Sequence, residues 1–206
     1  IKTGKLQESW RNVLEHNLFE SVATETLAQT LDLSDREARL LSIAAALHDW
    51  DKRIIKKGAV SQDDADAQLK SFLDTANIDE PETIVKLTAY TKPGAPHAQI
   101  QRGERTTLNE KIVYIVDAMT DEAELVPIPQ RMKKSQDSPF GKTLEAKFDA
   151  TFEREGGFYE FGNKITAGFL ADICELLRQR GFDVTPETFH TWLTLQIQNR
   201  FSEEKK

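Results

Sequence analysis

The sequence predicts an all-α fold. Across nearly the whole chain of 206 residues, apolar side chains recur at spacings of three to five, which is the period of an amphipathic helix. No segment shows the alternation of apolar and polar residues that is typical of a half-buried strand. Residues that begin and end helices stand at the borders of these segments, so about seven helices can be placed along the chain.

The first two helices are the most clearly marked. Residues 5–31 form one segment with a predicted buried stripe at helical spacing: Trp10, Val13, Leu14, Leu18, Val22 and Leu27. Ser34 and Glu37 then form a capping box, in which two side chains satisfy free backbone amides at a helix start. This second helix is predicted to run to His48.

Two further helices follow a loop of mixed charge at residues 49–60. Ser61 is a candidate cap for a weakly amphipathic segment at residues 62–76. Pro81 fits the first turn of the next helix, because an amide is not needed there. That helix is predicted to end before a loop rich in proline and glycine at residues 92–96.

The most apolar helix is predicted near the middle of the chain. Thr107 and Glu110 form a second capping box, and the helix that follows is apolar on more than one side: Ile112, Val113, Ile115, Val116 and Met119. We therefore expect this helix to lie at the centre of the core. A polar loop is predicted at residues 131–138, and it marks a boundary between a core of residues 1–130 and a helical extension, residues 131–206, packed on that core.

The C-terminal part is predicted to contain three helices. They cover residues 139–153, residues 160–180, and a last segment with Thr185 as its cap and Pro186 at its first position. Gly181 ends the middle helix. The aromatic residues of these helices fit a dimer interface, a lid or additional core, so a homodimer is one of three alternatives.

Composition excludes several classes of protein. The chain has 34 acidic and 27 basic residues, giving a net charge of −7 without a long basic run, so a nucleic-acid partner is not expected. Its one cysteine, Cys174, cannot form an intramolecular disulfide. No apolar stretch approaches the roughly 18 residues that a membrane span needs. We expect a soluble, cytoplasmic protein without a membrane partner.

Four residues suggest metal chemistry. His48 is followed directly by Asp49 where the second helix ends, and His16 lies on the helix before it. Asp117 stands in the apolar central helix, where an uncompensated carboxylate is costly to bury. Imidazole and carboxylate groups are ligands for ions such as Mn²⁺, Fe²⁺ and Mg²⁺, so a bound ion would stabilise Asp117. The alternative is an edge position that faces solvent or a basic partner.

This order of residues resembles the H…HD…D signature of the HD-domain superfamily of metal-dependent phosphohydrolases. The resemblance covers residues 10–126. It implies an HD-domain helical bundle in which a divalent metal ion, Mn²⁺, Fe²⁺ or Mg²⁺, is held by His16, His48, Asp49 and Asp117. Lys52 matches the lysine of the HDxxK variant of the signature, which lies close to the substrate phosphates.

Within that superfamily, residues 109–117 resemble the last-ligand helix of the bacterial symmetrical dinucleoside-tetraphosphate hydrolases. By this resemblance His97 is a candidate ligand for a second ion or a substrate contact, and a surface loop histidine is the alternative. Two features depart from the pattern. The residues around His97 differ from the usual His-Thr pair, and Val13 stands where an arginine is expected, three residues before the first ligand.

The chemistry of such a site adds further candidates. A divalent ion lowers the pKa of a bound water and withdraws charge from a phosphoryl oxygen during hydrolysis. Two imidazoles and two carboxylates leave a divalent site near neutrality, so an anionic phosphate needs additional cations. Lys52 and Arg53 are the nearest candidates in sequence. Arg131, Lys133 and Lys134 form either a phosphate-binding lid or a solvated basic loop.

The sequence thus predicts a metal-dependent phosphohydrolase that cleaves a nucleotide or another small phosphoester with a metal-activated water. The first substrate to test is a dinucleoside polyphosphate. Asp49 and Lys52 are the predicted catalytic residues, and Asp51 is either a general acid or base or a solvated loop acid. The alternatives are a nucleoside monophosphate phosphatase, a ligand-sensing or scaffold protein that retains the site without catalysis, and a nuclease, which the acidic surface disfavours.

Overall fold

The fold is described from a computed structural model that defines the backbone of residues 4–51 and 60–203 and the side chains of residues 13–51 and 60–202. The prediction of an all-α fold is confirmed, because these residues form ten α-helices, one 3₁₀ turn and one pair of two-residue strands. The elements are α1 (Gly4–Thr30), α2 (Asp35–Leu47), α3 (Gln62–Thr75), α4 (Pro81–Tyr90), α5 (Ala95–Gln101), α6 (Leu108–Met119), β1 (Thr120–Asp121), β2 (Glu124–Leu125), α7 (Ile128–Asp137), α8 (Pro139–Phe148), η1 (Glu153–Glu155), α9 (Phe158–Gln179) and α10 (Phe189–Glu203).

The predicted helix starts are confirmed at four helices. In three capping boxes, the cap hydroxyl accepts a hydrogen bond from the amide three residues on, and the acid at that position accepts one from the amide of the cap residue: Ser34 with Glu37, Ser61 with Asp64, and Thr107 with Glu110. A cap of this kind stabilises a helix by about 1 kcal/mol. Pro81 is the first residue of α4, as predicted.

Helix α6 lies at the centre of the core. Ile112, Ile115 and Val116 have no exposed surface, and Val113 and Met119 on other sides of the helix are also buried. The helix packs against α1, α2, α4, α7 and α9. Buried residues from before and after residue 130 belong to one hydrophobic cluster around it. Residues near the C-terminal end of α6 therefore meet residues of α1 and α2.

The predicted buried stripe of α1 is wrong at two positions, and its first residue, Trp10, lies outside the described side chains. Leu14 and Leu18 are 58% and 55% exposed, whereas the histidine between them and Glu20 turn towards the interior. Helical spacing carries this inner face on from His16 and Glu20 to Ala23 and Leu27, which are fully buried. At this end of α1 the inner face is polar, because His16 and Glu20 contact titratable side chains of other helices there.

Two segments predicted as loops are partly helical. The chain turns at Gly94, which has a positive φ of 87°, and forms α5 directly afterwards; α7 covers most of the polar segment at 131–138. Proline explains both differences. Pro96 and Pro129 lie in the first turns of their helices, where the missing amide has no partner to lose, so each begins a helix.

Two of the three C-terminal helices are shorter than predicted. Helix α8 ends at Phe148 and is followed by the turn η1, and α10 begins at Phe189 instead of Pro186. Thr188 Oγ1 accepts a hydrogen bond from the Thr185 amide at 3.0 Å, so the residues between them form a turn before the helix. Helix α10 then packs against α1. Within the described part of the chain, no helix is both long and apolar enough to span a bilayer.

Two glycines provide a matched stability test. At Gly141 in α8, a Cβ would lie 2.5 Å from the Tyr159 hydroxyl and closer still to the Ser135 carbonyl oxygen, whereas Gly168 in α9 is exposed and has no atom within 4 Å of that position. We expect Gly141→Ala to lower the free energy of unfolding by about 1–3 kcal/mol through overpacking. Gly168→Ala should raise it by about 0.5–1 kcal/mol, because alanine favours the helix. Urea denaturation measures both changes, and a destabilisation of equal size at the two positions would contradict the expectation.

Candidate metal centre

Three helices bring four potential metal ligands together. His16 and Glu20 lie one turn apart on α1, His48 is the residue at the C-terminal end of α2, and Asp117 lies near the end of α6. Each offers one ligand atom, and these atoms are all within 4.8 Å of one another. We call these four residues the metal cluster. Three of the four ligands predicted from the sequence are in it, and the fourth, Asp49, is buried beside it with its Oδ1 3.2 Å from His48 Nε2.

Glu20 is the member of the cluster that was not predicted as a ligand. It is only 1% exposed, and its two oxygens contact both histidines: Oε1 is 3.0 Å from His16 Nε2, and Oε2 is 3.1 Å from His48 Nδ1. A signal for it is present in the sequence, because Glu20 lies four residues after His16 and seven before the buried Leu27. It therefore occupies the same helix face as the core residues.

Hydrogen bonds to backbone carbonyls fix the proton on each imidazole. His16 Nδ1 donates to the Glu122 carbonyl at 2.9 Å, and His48 Nδ1 donates to the Ala45 carbonyl at 2.7 Å. Because a carbonyl oxygen can only accept, both Nδ1 atoms carry hydrogen, and each neutral ring has its lone pair on Nε2. Among the described residues, His48 Nε2 is buried without a hydrogen-bond partner, and it lies 3.7 Å from Asp117 Oδ1. Lone pairs and carboxylates at this spacing repel one another unless a proton or a metal ion lies between them.

The electrostatics of the cluster also indicate that its negative charges require a positive charge among them. Burial raises the pKa of Glu20, the charge of His48 opposes this shift, and the charge of Asp117 adds to it. Burial alone would lower the pKa of His16, but its hydrogen bond to Glu20 and the nearby negative charges outweigh burial and raise it. The donor set of imidazole nitrogens and carboxylate oxygens suits ions such as Mn²⁺ and Fe²⁺. The cluster is compatible with an HD-type metal site.

Lys92 supports the turn that carries His48. Its Nζ donates to the His48 carbonyl at 2.6 Å and to Asp51, whose other oxygen accepts a hydrogen bond from Gln62 at 2.9 Å. Asp51 is buried, so the structure places it in an ion pair that joins the turn after α2 to the end of α4. Lys92 was not predicted as a site residue, because the pairing joins residues 41 positions apart.

Among the residues that the structure describes, the other predicted site residues lie outside the metal cluster. Lys52 and Arg53 are outside the described residues. His97 is buried in α5, where its Nε2 donates to the Phe158 carbonyl at 3.0 Å and its ring stacks on that phenyl ring at 4.6 Å, so the alternative of a surface loop histidine is wrong. Lys134 forms an ion pair with Asp121 at 2.6 Å, and Lys133 is exposed on α7.

Comparisons of the chain with protein-family models, with curated proteins and with solved structures find no match. The metal cluster and its surroundings are therefore the basis on which function can be inferred.

His16 and His97 are expected to titrate on opposite sides of the ordinary value of 6.5. In the metal-free protein, the pKa of His16 is raised for the reasons above, whereas burial lowers the pKa of His97 against its hydrogen bond to the Phe158 carbonyl. His16 thus contributes stability below pH 6.5 that is lost as the pH rises through its raised pKa. His97 contributes stability above pH 6.5 that is lost as the pH falls through its lowered pKa. Histidine ring resonances followed by NMR against pH check this order, and a lower pKa for His16 than for His97 would contradict it.

Proposed function

We propose that this protein is a metal-dependent phosphohydrolase of the HD type. One observation carries the proposal. Two histidines and two acids from three helices converge with their ligand atoms within 4.8 Å, and within the described part of the chain His48 Nε2 is buried without a hydrogen-bond partner. The order of the residues along the chain, with Asp49 directly after His48, supports the HD type.

The residues of the site have separate roles in this function. The ion would be held by His16, His48, Asp49 and Asp117. Glu20 keeps the proton of His48 on Nδ1, so that Nε2 is free to bind the ion. When bound, the ion withdraws charge from a phosphoryl oxygen and lowers the pKa of a water molecule, which makes hydroxide available near neutral pH.

Substrate charge is a second requirement of this function. With both imidazoles neutral, the carboxylates of Glu20, Asp49 and Asp117 exceed the charge of one divalent ion. An anionic phosphate therefore needs cationic side chains nearby. Lys92 is already paired with Asp51. Lys52, by its position in the signature, remains a candidate for this role.

The experiment that tests the function is phosphate release by the purified protein. The panel contains dinucleoside polyphosphates first, then nucleoside monophosphates, nucleoside triphosphates and simple phosphate esters. Each is measured with Mn²⁺, Fe²⁺ or Mg²⁺, and with a chelator followed by return of the metal. We expect turnover of one substrate class that is lost with the chelator and recovered with the metal.

The opposite outcome is equally informative. If the folded protein binds Mn²⁺ but releases phosphate from no member of the panel, the hydrolase proposal fails. A ligand-sensing or scaffold role then becomes the better account of the same residues. Mn²⁺ binding is measured separately by calorimetry, so that absence of turnover is not confused with absence of metal.

A further inference from the structure

A small cavity lies beside the metal cluster. Its volume is about 140 Å³, and Asp117, a member of the cluster, forms part of its wall. Arg131 and Ser135 of α7 line it as well, and Phe158 and Tyr159 of α9 contribute aromatic surface. A cavity of about 150 Å³ is large enough to hold a benzene ring. The cavity therefore matches the size of one six-membered ring.

Arg131 supplies positive charge to this cavity. Its Nε donates to the Thr120 carbonyl at 2.9 Å, which fixes the plane of the guanidinium group. Among the residues that the structure describes, no carboxylate pairs with Arg131, and no acceptor binds its two terminal nitrogens. Four of its five N–H groups thus remain available on a side chain that is held in place.

The neighbouring cations are already neutralised or directed elsewhere. Lys92 also lines the cavity, but its ammonium group pairs with Asp51. Lys134 donates to both oxygens of Asp121. Lys133 lines a separate groove between α7 and α9. Of the cations that the structure describes, Arg131 is consequently the one best placed to bind an anion next to Asp117.

The remaining wall of the cavity is mainly apolar. Met132, Leu144 and Tyr114 line it. Gly162 lines it too, and a side chain there would have little room, since a Cβ would lie 3.1 Å from His97 Nε2 and 3.5 Å from Met132 Cε. Such a surface favours a planar ring, which gains both from burial and from contact with other rings. It offers little to a second charged group, whose desolvation would be uncompensated.

We infer that the cavity binds the ring of an aromatic phosphate ester, and that Arg131 binds its phosphate group next to Asp117. This inference rests on the proposed function, since it places the phosphate at the metal cluster. It names the substrate class as phosphate esters that carry a single aromatic ring beside the phosphate. It also assigns phosphate binding on α7 to Arg131 instead of Lys133 or Lys134.

Binding of two phosphonates tests the inference without any need for turnover. Phenylphosphonate and methylphosphonate carry the same anionic group but differ in the ring, and neither has an ester bond to hydrolyse. Calorimetry on the Mn²⁺-loaded protein should give at least tenfold tighter binding of phenylphosphonate. Ser135→Leu adds a larger side chain to the cavity wall, so it should reduce this preference while binding of methylphosphonate stays the same.

Charge variants test the role of Arg131. Arg131→Gln should weaken both phosphonates by about tenfold or more, because a charge-assisted hydrogen bond to the anion is lost. Arg131→Lys, which keeps the charge without the planar fork, should recover part of the affinity. Arg105→Gln is the matched control, because this exposed arginine lines a different surface groove, and it should change neither affinity.

Three results would overturn the inference. They are equal affinity for the two phosphonates, unchanged affinity in Arg131→Gln, or a larger loss in Lys133→Gln than in Arg131→Gln. Circular dichroism and thermal melting confirm that each variant is folded. Repeating the titrations without Mn²⁺ separates the two proposals. If binding depends on Arg131 but is the same with and without the metal, the metal-based function fails while the cavity assignment stands.

Discussion

The His48→Gln variant is expected to lose metal binding and all metal-dependent phosphate release. His48 Nε2 is buried at the centre of the metal cluster, 3.2 Å from Asp49 Oδ1 and 3.7 Å from Asp117 Oδ1. A neutral amide replaces the imidazole and is a poor ligand for a divalent ion. The loss of Mn²⁺ affinity should exceed the 10–100-fold that removal of an outer partner of a metal ligand typically causes. Calorimetric titration with Mn²⁺ measures it.

His190→Gln is the matched control for that variant. His190 is a half-buried histidine at the start of α10, and its Nε2 contacts the hydroxyl of Thr191. The same change of side chain there should leave Mn²⁺ affinity and phosphate release unaltered. Retention of full Mn²⁺ affinity by folded His48→Gln protein would show that the cluster is not the metal site.

The Glu20→Gln variant is expected to separate metal affinity from stability. Glu20 contacts both histidines, and carboxylate partners of this kind set ring orientation and basicity. Mn²⁺ affinity should therefore fall by about 10–100-fold. The metal-free protein should be no less stable than the wild type. Burial raises the pKa of Glu20, so its ionised form is unfavourable in the folded state, and a neutral glutamine removes this cost.

Glu110→Gln provides the comparison for Glu20→Gln, because Glu110 is equally buried but belongs to a helix cap. Its Oε2 accepts hydrogen bonds from Thr107, and its Oε1 pairs with Lys86 at 2.9 Å. Glutamine retains part of the capping box and loses the ion pair, so a small loss of stability with unchanged Mn²⁺ affinity is expected. If the two variants lower Mn²⁺ affinity equally, the effect of Glu20 is not specific to the cluster.

Local signals in the sequence predict most of the helix starts. The capping boxes at Ser34 and Thr107 each depend on two residues three positions apart, and Pro81 depends on a missing amide, so a short stretch of chain determines them. Two other prolines do not decide between a loop and a helix start. Pro96 and Pro129 were consistent with loops by composition, although each also fits the first turn of a helix, which is where the structure places it.

The site is only partly predictable for a different reason. Asp117 stands out because it interrupts an apolar helix, and His48 because Asp49 follows it directly. Glu20 is marked only by its spacing from His16 and Leu27, and Lys92 carries no mark, because their roles arise only when α1, α2 and α4 pack together. The apolar residues Leu14 and Leu18 even suggested the wrong inner face for α1. Burial of polar groups at a functional site thus reverses the pattern from which a core is usually predicted.

The packing of α10 on α1 has a consequence for how this protein is made. Glu25 of α1 pairs with Arg200 of α10 at 3.0 Å across 175 residues of chain. Both α1 residues of the cluster, His16 and Glu20, therefore emerge from the ribosome long before α10, whereas α2 and α6, which also pack against α1, follow sooner. Contacts that close such long loops form late, because their entropic cost precedes any gain. A nascent chain must keep the side of α1 that α10 covers soluble until α10 is released.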